Sequence, residues 1–177
     1  MAVKTLLRMG NPKIYQPCAT VTEFDTPALH ELITDLIDTK IAHEGVGIAA
    51  PQIGVNLRVM IYGFDNRNLR YPEKTPVPVT ACINPTYEVL DETIEEDGEG
   101  CLCLPTLYGI VPRVRAVKMT YQDVKGETHT VTEEDFPARI IQHECDHLDG
   151  KIYPMRIADL RNFGFHEEIR TLDFFQP

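Results

Sequence analysis

No apolar run in the 177 residues approaches the roughly 18 that a membrane-spanning helix needs, which excludes a helical membrane protein. Residues 1–12 hold no apolar core long enough for a secretory signal, so no leader is expected. Basic residues are scarce: 17 Lys and Arg stand against 27 Asp and Glu, for a net charge of −10 at pH 7. That balance argues against a broad nucleic-acid or anionic-membrane footprint, so neither DNA nor membrane is an expected partner. The five cysteines are an odd number without framework spacing, which points to a reducing compartment and to a cytoplasmic protein. Internal repeats and low-complexity segments are also lacking.

What remains is globular. Hydrophobic residues make up 43% and charged residues 25%, which rules out disordered and fibrous classes. The length predicts one domain over residues 1–177. A chain of this size buries about two-thirds of its unfolded surface and needs neither disulfide nor metal to hold a core. Any bound metal is therefore expected to be chemical rather than structural. The stretch 86–100 carries Glu88, Asp91, Glu92, Glu95, Glu96, Asp97 and Glu99 without a base, and reads as a solvated loop or an edge strand.

Two helices stand out. Thr26 suits an N-cap and Pro27 a first turn. Leu29, Leu32, Ile33, Leu36, Ile37 and Ile41 follow at helical spacing until Gly45, giving an amphipathic helix of about five turns. A second helix is expected over 135–148, with Pro137 in its first turn because an interior proline would break it, and Gly150 beyond its end. Strands are expected at 57–64, 79–83 and 87–94, the last two punctuated by Asn84-Pro85. A hairpin joins 114–121 to 127–132 around Lys125-Gly126. Residues 65–78, with three prolines, read as a long surface loop. After Pro154 no clear pattern emerges. Strands followed by a late helix predict an α+β fold: mainly antiparallel strands around a central helix, with the amphipathic helix as the second.

That central helix carries Gln142-His143-Glu144-Cys145-Asp146-His147, which contains His-Glu-x-x-His. Four residues turn a helix by about 400°, so His143 and His147 share a face and can grip one divalent ion. Glu144 projects beside them, placed to meet a water whose pKa the metal lowers, and to take and return its proton. Gln142 and Asp146 are candidates for orienting the histidines. A catalytic site needs a third protein ligand and an open position. His166 lies downstream without the compact spacer of known zinc peptidases. Upstream, Glu99-Gly100-Cys101-Leu102-Cys103 offers a thiolate at Cys101, although read alone this residue is better taken as a buried small hydrophobe.

Gly45-Val46-Gly47-Ile48-Ala49-Ala50-Pro51-Gln52 matches a dinucleotide-binding pattern on paper, but it follows a helix and runs into Pro51. It reads either as a plain connection or as extended backbone able to pair with a bound peptide, with Gln52 as an amide donor to an oxyanion.

Taken in order, the three segments resemble the peptide deformylase family, which is marked by Gly-x-Gly-x-Ala-Ala-x-Gln, Glu-Gly-Cys-Leu-Ser and Gln-His-Glu-x-Asp-His-Leu. The resemblance extends over about residues 9–155. It implies a metal-dependent hydrolase that removes the formyl group from the formyl-methionine of newly made polypeptides. Metal-bound hydroxide attacks the formyl carbon, with Glu144 as general acid/base. It maps the metal to Cys101, His143 and His147: Fe2+ in the cell, with Zn2+, Ni2+ or Co2+ able to replace it. The Gln52 amide and the Leu102 N–H map to the oxyanion donors, and backbone at Gly47 maps to substrate contacts. Val46, Phe136 and Ile140 are candidates for the methionine pocket, and Arg113 for a contact with the substrate backbone. N-formyl-methionyl peptides are the implied partner, with the ribosome exit region a transient one. Two departures stand out. Cys103 replaces the usual Ser, and the C-terminal segment mixes acids with bases instead of forming a basic helix.

Overall fold

The computed structural model describes residues 2–65 and 73–169. Its elements are α1 (Pro27–Ala42), β1 (Gly47–Ala49), β2 (Val59–Phe64), β3 (Val77–Cys101), β4 (Leu104–Gln122), β5 (Thr128–Glu134), α2 (Asp135–Leu148), β6 (Phe163–Phe165) and α3 (His166–Ile169), with short 3-10 turns between several of them. The strands form one antiparallel sheet in the order β1-β2-β3-β4-β5, and β6 pairs with β4. The class is α+β, as expected. Half of the loop expected at 65–78 (residues 66–72), and the tail beyond residue 169, lie outside the described residues, and the loop's expected end, Val77 and Pro78, instead opens β3.

β2 explains why both helices are needed. Alternation along the strand sends Val59 and Ile61 to one face, where they join Leu29, Leu32 and Leu36 of α1. Met60, Tyr62 and Phe64 go to the other, against Ala138, Ile141 and Cys145 of α2. All six β2 residues are buried, and a strand covered on both faces reads in sequence as an unbroken apolar run.

α1 is capped as the sequence suggests. Thr26 Oγ1 accepts from the Leu29 N–H at 3.2 Å, a bond worth about 1 kcal/mol. Ile41, expected on its apolar face, is instead 58% exposed. The row Ile33–Ile37–Ile41 drifts by about 40° per four-residue step, and by the third step it has left the core. Thr39 and Lys40 occupy the inward positions there.

β3 runs straight through Asn84-Pro85, which the sequence reading had treated as a break between strands. Asn84 adopts a positive φ of 51° where the pairing register slips between Ile83 and Thr86. Its side chain accepts from the Val21 N–H and donates to the Val21 and Gln122 oxygens, each at 2.9 Å. A bulge tolerates a proline that a regular ladder would reject. Beyond it the acidic stretch is strand, paired only with β4, because β2 stops opposite Ile83. Of the two alternatives for that stretch, the edge strand is therefore the one found.

β3 and β4 close in a tight turn in which Cys101 pairs with Leu104 and Leu102-Cys103 form the tip. This turn delivers the Cys101 motif to α2. α2 has the expected bounds, with Pro137 in its first turn.

Candidate active site

His143 and His147 lie one turn apart on α2, with ring centroids separated by 5.0 Å. Cys101, the last residue of β3, faces them: its Sγ is 3.2 Å from His147 Nε2. One donor atom from each of the three residues falls within 4.8 Å of the others.

Their electrostatics suit a cation. Burial lowers His147 to about 3, so its imidazole is neutral. Burial also pushes the Cys101 thiol up, so a thiolate there calls for a compensating positive charge. His143 Nδ1 lies 2.9 Å from Glu99 Oε2, so a proton on Nδ1 is held there and Nε2 is the nitrogen left for a metal; burial alone would lower this imidazole, but the Glu99 hydrogen bond and charge raise it. Glu99 is itself buried. Burial alone would raise its carboxyl, but Arg113 and His143 hold it well below the usual range. Arg113 grips both Glu99 oxygens, at 2.9 and 3.0 Å, and Arg139 Nη1 adds a third contact at 3.0 Å. One thiolate sulfur and two imidazole nitrogens, with one imidazole tautomer fixed from behind, fit a divalent transition metal.

Glu144 stands beside this trio. Burial is the main cause pushing its carboxyl up to about 7, the range a proton carrier at neutral pH needs. Its Oε2 is buried and has no hydrogen-bond partner among the described residues. Gly47 makes room for it, since a Cβ at Gly47 would come within 2.8 Å of Glu144 Cδ. Gln52 lies in the 3-10 turn Ala50–Ile53. Its Oε1 accepts from the Ala49 N–H at 2.6 Å, which turns its NH2 toward Cys101 Sγ at 3.6 Å. Residues 7–9 strap these parts together. The Leu7 N–H donates to the Gln52 oxygen at 2.8 Å, Arg8 Nη1 to the Leu102 oxygen at 2.7 Å, and the Met9 N–H to the Cys103 oxygen at 3.0 Å.

Val46, Gly47, Phe136 and Ile140 line one pocket together with Gln52, Cys101, Leu102, His143 and Glu144. Arg113 does not line it. The expected contact between Arg113 and a substrate backbone is replaced by burial behind Glu99, where Nη1 also donates to Asp146 Oδ2 at 2.6 Å. Among the described residues neither the Gln142 nor the Asp146 side chain hydrogen-bonds to a histidine. The Gln142 amide instead pairs with the backbone of Val114, at 3.2 and 2.8 Å, and Asp146 pairs with Arg113 and Arg156. His166 packs its ring on Tyr108, outside the ligand trio. The sequence reading missed Glu99 as the anchor of His143, Arg139 beside it, and Lys40, which is buried with Nζ 2.8 Å from the Gly63 oxygen.

A family model described as polypeptide deformylase matches residues 3–163. The chain belongs to the polypeptide deformylase family. Peptide deformylase 2 of Ralstonia nicotianae is 47% identical over 165 residues, covering 93% of each chain. Peptide deformylase 1 of Nitrosomonas europaea is 46% identical over 167 residues, covering 94% of each. A class I type b peptide deformylase from Acinetobacter baumannii superposes with a TM-score of 0.85 at 32% identity, covering 89% of this chain and 100% of that one. Its Met-Ala-Ser-bound structure gives 0.82 at 34% identity, covering 88% and 99%. Polypeptide deformylases are metal-dependent hydrolases that remove N-formyl groups from nascent peptides, and this chain is an enzyme of that kind. Among the described residues no helix is long and apolar enough to cross a membrane.

Proposed function

We propose that Cys101, His143 and His147 hold the catalytic ion and that Glu144, Gln52 and Leu102 perform the deformylation of formyl-methionyl peptides. The observation that carries this reading is the convergence of one sulfur and two imidazole donors on a pocket that also contains the unpartnered carboxyl oxygen of Glu144. Held by Cys101, His143 and His147, the ion would supply Lewis acidity toward water and the formyl carbonyl. Everything else comes from the chain. Glu144 takes the proton of the attacking water on its carboxyl and delivers it to the departing amine. The Gln52 NH2, oriented by Ala49, and the Leu102 N–H at the strapped turn donate to the developing oxyanion. Val46, Phe136 and Ile140 receive the methionine side chain, and Gly47 lets backbone approach the formamide. Arg113 positions Glu99 instead of touching substrate.

The donor set of thiolate and imidazole suits Fe2+, with Zn2+, Ni2+ or Co2+ able to replace it. All five cysteines are free, in keeping with a cytoplasmic setting. The chain acts as one catalytic domain over residues 1–177. A transient stay at the ribosome exit region would bring it newly made chains. In the described C-terminal segment Asp159, Glu167 and Glu168 offset Lys151, Arg156 and Arg161, so such docking would find no strongly basic surface there.

The test is formate release from formyl-Met-Ala-Ser by protein loaded with Fe2+ without oxygen. Wild type should release formate and leave internal amide bonds intact, and Cys101→Ala should lose both the metal and the activity. Internal cleavage that survives Cys101→Ala would instead assign a His-Glu-x-x-His peptidase.

A further inference from the structure

The turn that carries Cys101 also carries a second thiol with no part in the reaction above. Cys101 lines the substrate pocket, whereas Cys103 does not line it and is only 1% exposed. The Cys103 N–H points at Cys101 Sγ, 3.4 Å away, and both residues belong to one buried cluster with Leu104, Val111 and Tyr153. The two cysteines thus flank Leu102 in one tight turn. One is reachable from the pocket, and the other is held behind it, out of reach of bulk reagents.

We propose that Cys101 and Cys103 form a reversible disulfide site driven by peroxide, which disarms the metal centre and protects Cys101 from irreversible oxidation. A peroxide entering the pocket meets the Cys101 thiolate first. An S–O bond forms, the O–O bond breaks, the sulfur is oxidised to a sulfenic acid, and hydroxide leaves. The Cys103 sulfur then attacks the sulfenic sulfur. The S–S bond forms, the S–OH bond breaks, and the hydroxide departs with the Cys103 proton as water. Without Cys103, the sulfenic acid has no thiol within the turn and climbs to sulfinic and sulfonic acids.

A bridge between residues two apart is strained, since few backbone arrangements bring the two Cβ atoms into disulfide geometry. Strain makes a disulfide easier to reduce, which is the property a reversible device needs. Arg8 and Met9, bonded to the Leu102 and Cys103 oxygens, hold the turn in its reduced shape and add to that restoring tendency. The metal-release arm of this inference rests on the proposed ligand set, and the disulfide arm does not.

The experiment compares wild type, Cys103→Ser and Cys103→Ala, each zinc-loaded and metal-stripped, after brief hydrogen peroxide treatment under air. Intact mass, fragment mapping and zinc release to a chromophoric chelator are read before and after dithiothreitol. Wild type should lose about 2 Da, with the bond mapping to Cys101 and Cys103, release its zinc, and recover both mass and zinc binding on reduction. Both variants should instead gain mass in steps of about 16 Da at Cys101 that dithiothreitol does not fully reverse. Two results would overturn the proposal: the same oxygen additions in wild type and variants, or a wild-type disulfide that maps to Cys82 and Cys145. The second is read from wild type alone, so the proposal stays testable if a variant folds poorly. Wild type that binds no zinc before peroxide would count against the ligand assignment and leave the mass result to decide the disulfide.

Discussion

Gly47 and Glu144 share a space that only one side chain can fill. A Cβ built on Gly47 would come within 2.8 Å of Glu144 Cδ and 2.9 Å of Glu144 Cγ. Those separations are shorter than any packed carbon pair, which settles near 3.5–4.0 Å or about that. The glycine on β1 is therefore a condition for the position of the carboxyl on α2. Gly47→Ala should leave metal content intact, because Gly47 is not in the ligand trio, while lowering kcat for formate release. The upper bound is the full loss of a general acid/base, about 10²–10⁴-fold. Glu144→Gln should reach that bound with its metal retained. The double variant should be little worse than Glu144→Gln alone, because both changes remove one function. Losses that multiply in the double variant would show that Gly47 acts by some other route.

Glu99 is the hub of the buried charge network. It meets His143, Arg113 and Arg139, and Arg113 continues to Asp146. Glu99→Gln keeps the shape and removes the charge that two buried guanidinium groups face. A loss of about 3 kcal/mol or more in unfolding free energy is expected, since an uncompensated buried charge is left behind. Metal affinity should fall about 10–100-fold, the usual consequence of losing the group that orients a ligating histidine. Chemical denaturation and a competitive chelator titration measure the two effects. Wild-type metal affinity in a folded Glu99→Gln protein would remove Glu99 from the metal site.

This hub also marks where the sequence stops being legible. The bounds of α2 and the shared face of His143 and His147 follow from local rules, a proline confined to the first turn and a 100° step per residue. β2 could be read because six consecutive apolar residues can only be covered from both sides. The pairing of Glu99 with His143 spans 44 residues and depends on how a 25-residue strand meets a helix, which no local pattern encodes. Arg113 illustrates the same gap. It stands just before the strand expected at 114–121, and its side chain is drawn inward by two buried carboxylates whose placement is tertiary. Asn84-Pro85 misled for a related reason: a bulge and a strand end use the same residues, and only the Val21 and Gln122 partners distinguish them. The segment 153–169 folds as short turns, a three-residue strand and a four-residue helix, each too brief for periodicity to register.

Arg113→Lys gives a direct check of that correction. Lysine keeps the charge but cannot hold both Glu99 oxygens and Asp146 at once, because it lacks the planar fork. The expected signature is lower thermal stability and weaker metal binding, with KM for formyl-Met-Ala-Ser changed less than about twofold in the fully metal-loaded enzyme. A selective rise in KM at full metal loading would restore Arg113 to the substrate side.

Lys40 offers a prediction in pH. Its ammonium is buried, and Nζ donates to the Gly63 oxygen at 2.8 Å and the Gly45 oxygen at 3.4 Å. Desolvation is the largest influence and lowers its pKa from the ordinary 10.5, with Asp65 and Glu144 opposing. The sign follows from proton counting. Between the lowered folded value and 10.5, the unfolded chain holds a proton that the folded chain has released. Unfolding therefore takes up a proton in that window, and raising the pH stabilises the fold. Below the window both states are protonated and the cost of burying the charge is fully present. Lys40→Met removes this titration while filling a similar volume. Denaturation midpoints at pH 7, 8, 9 and 10, on metal-stripped protein, should show wild type gaining on Lys40→Met as pH rises. Titrating groups that do not interact with Lys40 are common to both proteins and cancel in the difference, which leaves Lys40 with the two carboxylates that oppose its shift, Asp65 and Glu144. A constant difference across that range would mean that the Gly63 and Gly45 carbonyls hold the Lys40 ammonium as well as water does, and that its burial carries no pH-dependent cost.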